Sequence, residues 1–96
     1  MAQYILLIQG NAKSEATEEE WNRFFAAAQQ SGVFRGGSEI GERSVVGDAD
    51  SFKSTEHVVG YMRFDSDDKQ KILDLLEEHP VVRHGGSTEL YEMPGS

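Results

Sequence analysis

The sequence predicts an α+β domain in which a four-stranded antiparallel sheet carries two helices on one face. Three observations carry this. The patterned segments follow one another as strand, helix, strand, strand, helix, strand. The first and third strand segments, Tyr4 to Ile8 and Val58 to Phe64, are substantially apolar on both faces, which suits the middle of a sheet. And a chain of 96 residues is long enough for one hydrophobic core but not for two, so residues 1–96 are expected to form a single domain.

The elements follow in order. Gln3 to Gln9 is a short run rich in branched and aromatic residues, closed by Gly10-Asn11, and reads as a strand and turn. Thr17 with Glu20 three positions on is the pattern of a capping box. Trp21, Phe24, Phe25 and Ala28 then recur at i, i+3, i+4 and i+7, so the first helix is expected to bury an aromatic face. Ser31-Gly32 ends it, the glycine being free to take a left-handed backbone. The second strand begins near Val33, is interrupted at Gly36-Gly37 and runs weakly on through Ile40. Residues 41–55 are polar and turn-rich apart from Val45 and Val46, and 47–55 are expected as an exposed loop. Val58 to Phe64 is the third strand. Asp65-Ser66-Asp67-Asp68 then brings a capping side chain and negative charge to the positive end of a second helix. Ile72, Leu75 and Leu76 form that helix's buried stripe, with Leu73 beside it, and Pro80 stops it. Gly85-Gly86 leads into the last strand, Ser87 to Met93.

This order is that of the split βαβ, or ferredoxin-like, domain. It has a consequence for assembly, because two helices cover one face only, whereas Tyr4/Leu6/Ile8 and Ile5/Leu7 make both faces of strand one apolar. A second copy is expected to cover the other face, giving a homodimer with a barrel-like core between the sheets. The alternative is a monomer whose 41–55 loop folds over that face.

Composition narrows the function. Seventeen acidic against nine basic residues give a net charge of −8, which repels phosphate backbones, so no nucleic-acid partner is expected. The longest apolar run, Tyr4 to Ile8, is far short of the roughly 20 residues needed to span a bilayer. No basic segment precedes an apolar stretch at the N-terminus, so neither a membrane partner nor a secretion signal is expected. The absence of cysteine excludes disulfides, zinc-thiolate sites and thiol nucleophiles, and a cytoplasmic location is the default by elimination.

Five residues stand out chemically. His79, in the last turn of the acidic second helix, is the candidate catalytic acid or base near neutral pH; a structural role against the helix dipole explains the same position. His57 opens strand three and by the two-residue period shares a face with Tyr61 and Arg63. If that face lies inside the dimer, these three line a small-molecule pocket; if it lies under the helices, Tyr61 is core. Arg35 with Gly36-Gly37 offers an anion site, or the glycines mark a bulge. His84 completes a set of three histidines, but His79 and His84 stand five apart across a proline, unlike a helical ligand pair, so no metal is expected; neither is a cofactor.

Several segments in order resemble a known family. They are Tyr4-Ile5-Leu6-Leu7-Ile8, Glu18-Glu19-Glu20-Trp21, Gly32-Val33 with Gly36-Gly37-Ser38, Gly60-Tyr61-Met62-Arg63-Phe64, His79-Pro80-Val81-Val82, Gly85-Gly86 and Glu89-Leu90-Tyr91-Glu92. Spread over nearly the whole chain, they are similar to the YCII-related family, which includes the DGPF-domain proteins. The resemblance implies a dimeric α+β barrel. For function it implies either an enzyme with a histidine and an aspartate in a cleft, or a link to transcription regulation through extracytoplasmic sigma factors. The DGPF signature would fall at Asp48-Ala49-Asp50-Ser51-Phe52, where only an aspartate and a phenylalanine of it remain. His79 stands before the proline where the branch with the His/Asp pair has an aspartate, and helix one carries no histidine. Two readings follow. One is a small cofactor-free enzyme or small-molecule-binding protein, with His79 as acid or base and His57, Tyr61 or Arg35 orienting an organic ligand. The other is a non-catalytic binding or regulatory module acting through a protein partner.

Overall fold

A computed structural model describes residues 1–48, 50, 51 and 54–95. The elements are β1 (Ala2–Gln9), α1 (Glu18–Gln30), β2 (Phe34–Glu39), β3 (Val58–Ser66), α2 (Lys69–Leu76), the short α3 (Pro80–Arg83) and β4 (Thr88–Glu92). The sheet runs β2-β3-β1-β4 with every neighbouring pair antiparallel, so β1 and β3 occupy its centre as their two apolar faces require. This is the expected α+β, ferredoxin-like order, with α3 added.

One face of the sheet is packed. Tyr4, Leu6 and Ile8 of β1 and Met62 and Phe64 of β3 join Phe24 and Ala28 of α1 and Ile72 and Leu76 of α2 in a single buried cluster. The alternate residues Ile5 and Leu7 point the other way and are only half-buried. Both helices start where their caps dictate. Thr17 and Glu20 form a complete capping box on α1, and the Asp68 carboxylate accepts from the Gln70 N–H on α2. No helix among the described residues is long and apolar enough to cross a membrane.

The structure corrects several boundaries. β3 continues to Ser66, so Asp65 is a strand residue facing Arg35, not part of the second helix's acidic entry. Pro80 does more than stop α2: it occupies the first turn of α3, where its missing N–H costs no bond. Phe25, expected in the core beside Trp21, is 39% exposed, because it lies at the rim of a cavity and not over the sheet. Arg35 is the extra residue of a β-bulge, with Phe34 opposite Phe64 and Gly36 opposite Arg63; Gly36 takes a φ of 113° there, the bulge that the glycine pair suggests.

Candidate functional site

Between α1 and the β2–β3 half of the sheet lies a cavity of about 570 Å³. Trp21 and Phe25 of α1, Phe34 of β2, Met62 of β3, Ile8 of β1 and Val81 of α3 supply its apolar wall, while Ser38 and Glu39 bring polar groups to the β2 side. The i, i+4 spacing of the first two residues makes the wall aromatic: Trp21 stacks on Phe25 with ring centroids 5.8 Å apart, and Phe25 reaches Phe34 at 6.5 Å. Tight strand pairing closes the other side. A Cβ on Gly37 would stand 2.3 Å from the Tyr61 carbonyl oxygen, so only glycine lets β2 approach β3 there.

His79 holds this wall from behind. A residue before proline is disfavoured in the helical region, and His79 accordingly adopts φ −62°, ψ 130° as the N-cap of α3, not the last turn of α2. Its ring is fully buried, edge-on to Trp21 at 5.2 Å and to Phe24 at 4.7 Å. Nδ1 accepts the Val81 N–H at 3.1 Å, which places the neutral ring's proton on Nε2. That Nε2 is, among the described residues, a buried side-chain polar atom without a hydrogen-bond partner. Burial drives the imidazole pKa down from 6.5 to about 4, so the ring is neutral at pH 7. Its one lone pair is already engaged and what remains is a donor, on a ring that contacts two residues lining the cavity, Trp21 and Val81.

Of the remaining expected site residues, Tyr61 contributes to the lining of this cavity, whereas His57, Arg63 and Arg35 do not. Tyr61 and Arg63 stand opposite Leu7 and Ile5, on the sheet face away from the helices, so Tyr61 does not belong to the helix-side core. Arg35 faces the same side, 3.3 Å from the Asp65 carboxylate. At the β4 edge, Gln9 and the Tyr91 hydroxyl both donate to Glu89, and the nearby carboxylate raises the tyrosine's pKa. The open face thus has an apolar middle, Ile5 and Leu7, between two polar margins. His57 is exposed in the turn before β3, and the bulge at Val59 interrupts the alternation that counted it onto the face of Tyr61. His57, Arg63 and Arg35 are therefore not brought together with His79, while Tyr61 lines the cavity whose wall His79 backs. Of the DGPF-like segment, Asp48 accepts from the Asp50 N–H, whereas Ala49 and Phe52 lie outside the described residues.

A second cluster escaped sequence reasoning. The β1–α1 loop is stitched to the turn after α3: Lys13 N–H donates to the His84 carbonyl at 2.8 Å, and Asn11 bonds both the Ser87 N–H and hydroxyl at 2.9 Å. Gly86 makes room, since a Cβ there would meet Asn11 Oδ1 at 2.6 Å and Val81 Cγ1 at 2.7 Å. Across this seam Ser14 Oγ lies 2.7 Å from His84 Nδ1, and His84 Nε2 lies 2.6 Å from Glu20 Oε2. The His84 bond, more than the Thr17 N–H, lowers the Glu20 carboxyl pKa. Ser14 also lines a more open cleft of about 630 Å³, walled by Ala12, Lys13, Trp21, Val59, Pro80 and Val81. The three residues are 6 and 64 positions apart along the chain, so no motif announces them; a serine before a capping box is the only local hint. Among the described residues no group of three or more acidic or histidine side chains converges as metal ligands would.

No family model matches the chain, and no curated protein matches it in sequence. Among solved structures the chain is similar to 5-chloro-2-hydroxyhydroquinone dehydrochlorinase from Burkholderia phenoliruptrix AC1100, in complex with 2,5-dihydroxybenzoquinone. The identity is 10% and the TM-score 0.49, over 100% of this chain and 96% of that one.

Proposed function

We propose that this chain is a small-molecule-binding protein of YCII-like type, acting as a homodimer and taking up a small, mostly apolar and flat organic ligand without metal or cofactor. The observation that carries the reading is the cavity under α1. About 570 Å³ walled by Trp21, Phe25, Phe34 and Met62 suits a single aromatic ring with small substituents, and Ser38 and Glu39 at one side suit a hydroxyl donor on it. In this reading His79 is a positioning residue: it fixes Val81 by a hydrogen bond and Trp21 by ring contact, and it stays uncharged beside an apolar ligand. The dimer forms through the open sheet face, where Ile5 and Leu7 are covered by their counterparts and Tyr61, Arg63 and Arg35 reach the margins.

Trp21 is the sole tryptophan, so intrinsic fluorescence reports on the cavity wall directly. Titration with a panel of substituted phenols is expected to quench it saturably, with at least tenfold weaker binding in Phe25→Ala; a flat response to the whole panel contradicts the reading. Sedimentation tests the dimer separately. The wild type is expected as a dimer at micromolar concentration and Leu7→Glu, which places a charge at the centre of the face, as a folded monomer; a monomeric wild type contradicts it.

A further inference from the structure

We propose that Ser14, His84 and Glu20 form a nucleophilic relay that hydrolyses small neutral esters in the cleft between the β1–α1 loop and α3. The inference goes beyond the ligand cavity and does not depend on it. A carboxylate only accepts, so the 2.6 Å contact between Glu20 Oε2 and His84 Nε2 places a proton on that nitrogen. In the neutral ring the lone pair then lies on Nδ1, 2.7 Å from Ser14 Oγ, where it accepts the serine proton. Carboxylate, imidazole and hydroxyl stand in the order of an acyl-transfer triad, with the ring nitrogens exchanged relative to the serine proteases, and such triads are recognised by roles and geometry.

Three further features fit the relay to a task. The seam that holds it is built from backbone bonds and a glycine contact, Lys13 N–H to the His84 carbonyl and Gly86 against Val81, so Ser14 and His84 are presented by fixed segments. The exposures are graded. The Ser14 residue is exposed to a substrate, while the side chains of His84 and Glu20 retain 20% and 32% of theirs. And the cleft Ser14 lines joins apolar wall from Trp21, Val59 and Val81 to one cationic and one anionic residue, Lys13 and Glu15, which favours an uncharged substrate with an apolar acyl or aryl group.

The reaction balances with water as the only co-reactant. Ser14 Oγ attacks the ester carbonyl carbon while its proton passes to His84 Nδ1. The bond from that carbon to the alcohol oxygen breaks with its electron pair, and the departing oxygen takes the proton from Nδ1. Water then attacks the acyl-serine and gives its proton to Nδ1; the serine oxygen leaves, recovers that proton, and the carboxylic acid is released. Ser14 and His84 touch the reacting atoms, whereas Glu20 is a positioning residue that holds the tautomer.

The test uses the full chain with an alkyl fluorophosphonate, which captures activated serines, and with p-nitrophenyl acetate. One phosphonyl adduct on Ser14 is expected by peptide mass spectrometry, absent in Ser14→Ala, whose exposed loop position leaves folding unaffected. Labelling and p-nitrophenol release are expected to fall roughly 100-fold in His84→Gln. Glu20→Gln should lower the labelling rate constant while leaving the concentration for half-maximal rate unchanged, a split that loss of a helix cap alone does not produce. An unlabelled wild type, a label on another residue, or wild-type ester hydrolysis in Ser14→Ala overturns the proposal. Trp21 quenching by phenols in Ser14→Ala remains a separate readout, so the failure of either reading is distinguishable from the failure of the other.

Discussion

The two ends of α3 carry the same side chain in opposite circumstances. His79 caps the N-terminus of this four-residue helix and His84 its C-terminus. His79 is fully buried among Trp21 and Phe24, and among the described residues its ring makes one hydrogen bond, accepted from the Val81 backbone N–H. His84 is partly open and bonded on both ring nitrogens by polar side chains. The contrast shows that solvation and lone-pair occupancy decide what an imidazole does. The first ring is a structural wedge with one idle donor, and the second is connected to a carboxylate on one side and a hydroxyl on the other.

The largest test of that contrast is truncation. His79→Ala removes a buried ring and orphans the Val81 N–H, and is expected to cost about 3–4 kcal/mol in urea unfolding, against about 1 kcal/mol for His84→Ala. Equal losses at the two positions would erase the distinction. Acid should sharpen it. The folded His79 pKa, about 4, lies below the ordinary 6.5, so between these values the unfolded chain binds a proton that the folded one does not. The stability is therefore complete above about pH 6.5 and declines as pH falls toward 4, by about 3 kcal/mol in all. His79→Asn, which keeps a capping oxygen but does not titrate, should flatten that slope. Smaller again is Gly86→Ala. Pressing a methyl onto Asn11 and Val81 should cost about 2 kcal/mol and loosen the seam that brings Ser14 to His84.

Much of the fold was legible. Thr17 and Glu20 form the capping box their spacing announces, Gly36 makes a bulge, and the two strands apolar on both faces are the central pair. These are local or periodic features, which a chain expresses within a few residues. The misplacements have equally physical causes. Asp65-Ser66 reads as helix entry by composition, yet backbone pairing with β1 carries the strand through it. Pro80 reads as a stop, yet at the first turn of a helix proline is also a start, and that ambiguity moved His79 from one helix to the cap of another. The candidate sites were the least legible. The cavity depends on how far α1 stands from β2, and the contacts of Ser14, His84 and Glu20 exist only after the chain has closed a loop between positions 14 and 84.

The most direct measurement is side-chain nitrogen NMR of the histidines between pH 3 and 8. His79 is expected to keep its proton on Nε2, with Nδ1 unprotonated, down to about pH 4. A His79 ring that gained its second proton near pH 6.5 would be a solvated ring, and the wall of the cavity would not be built as described.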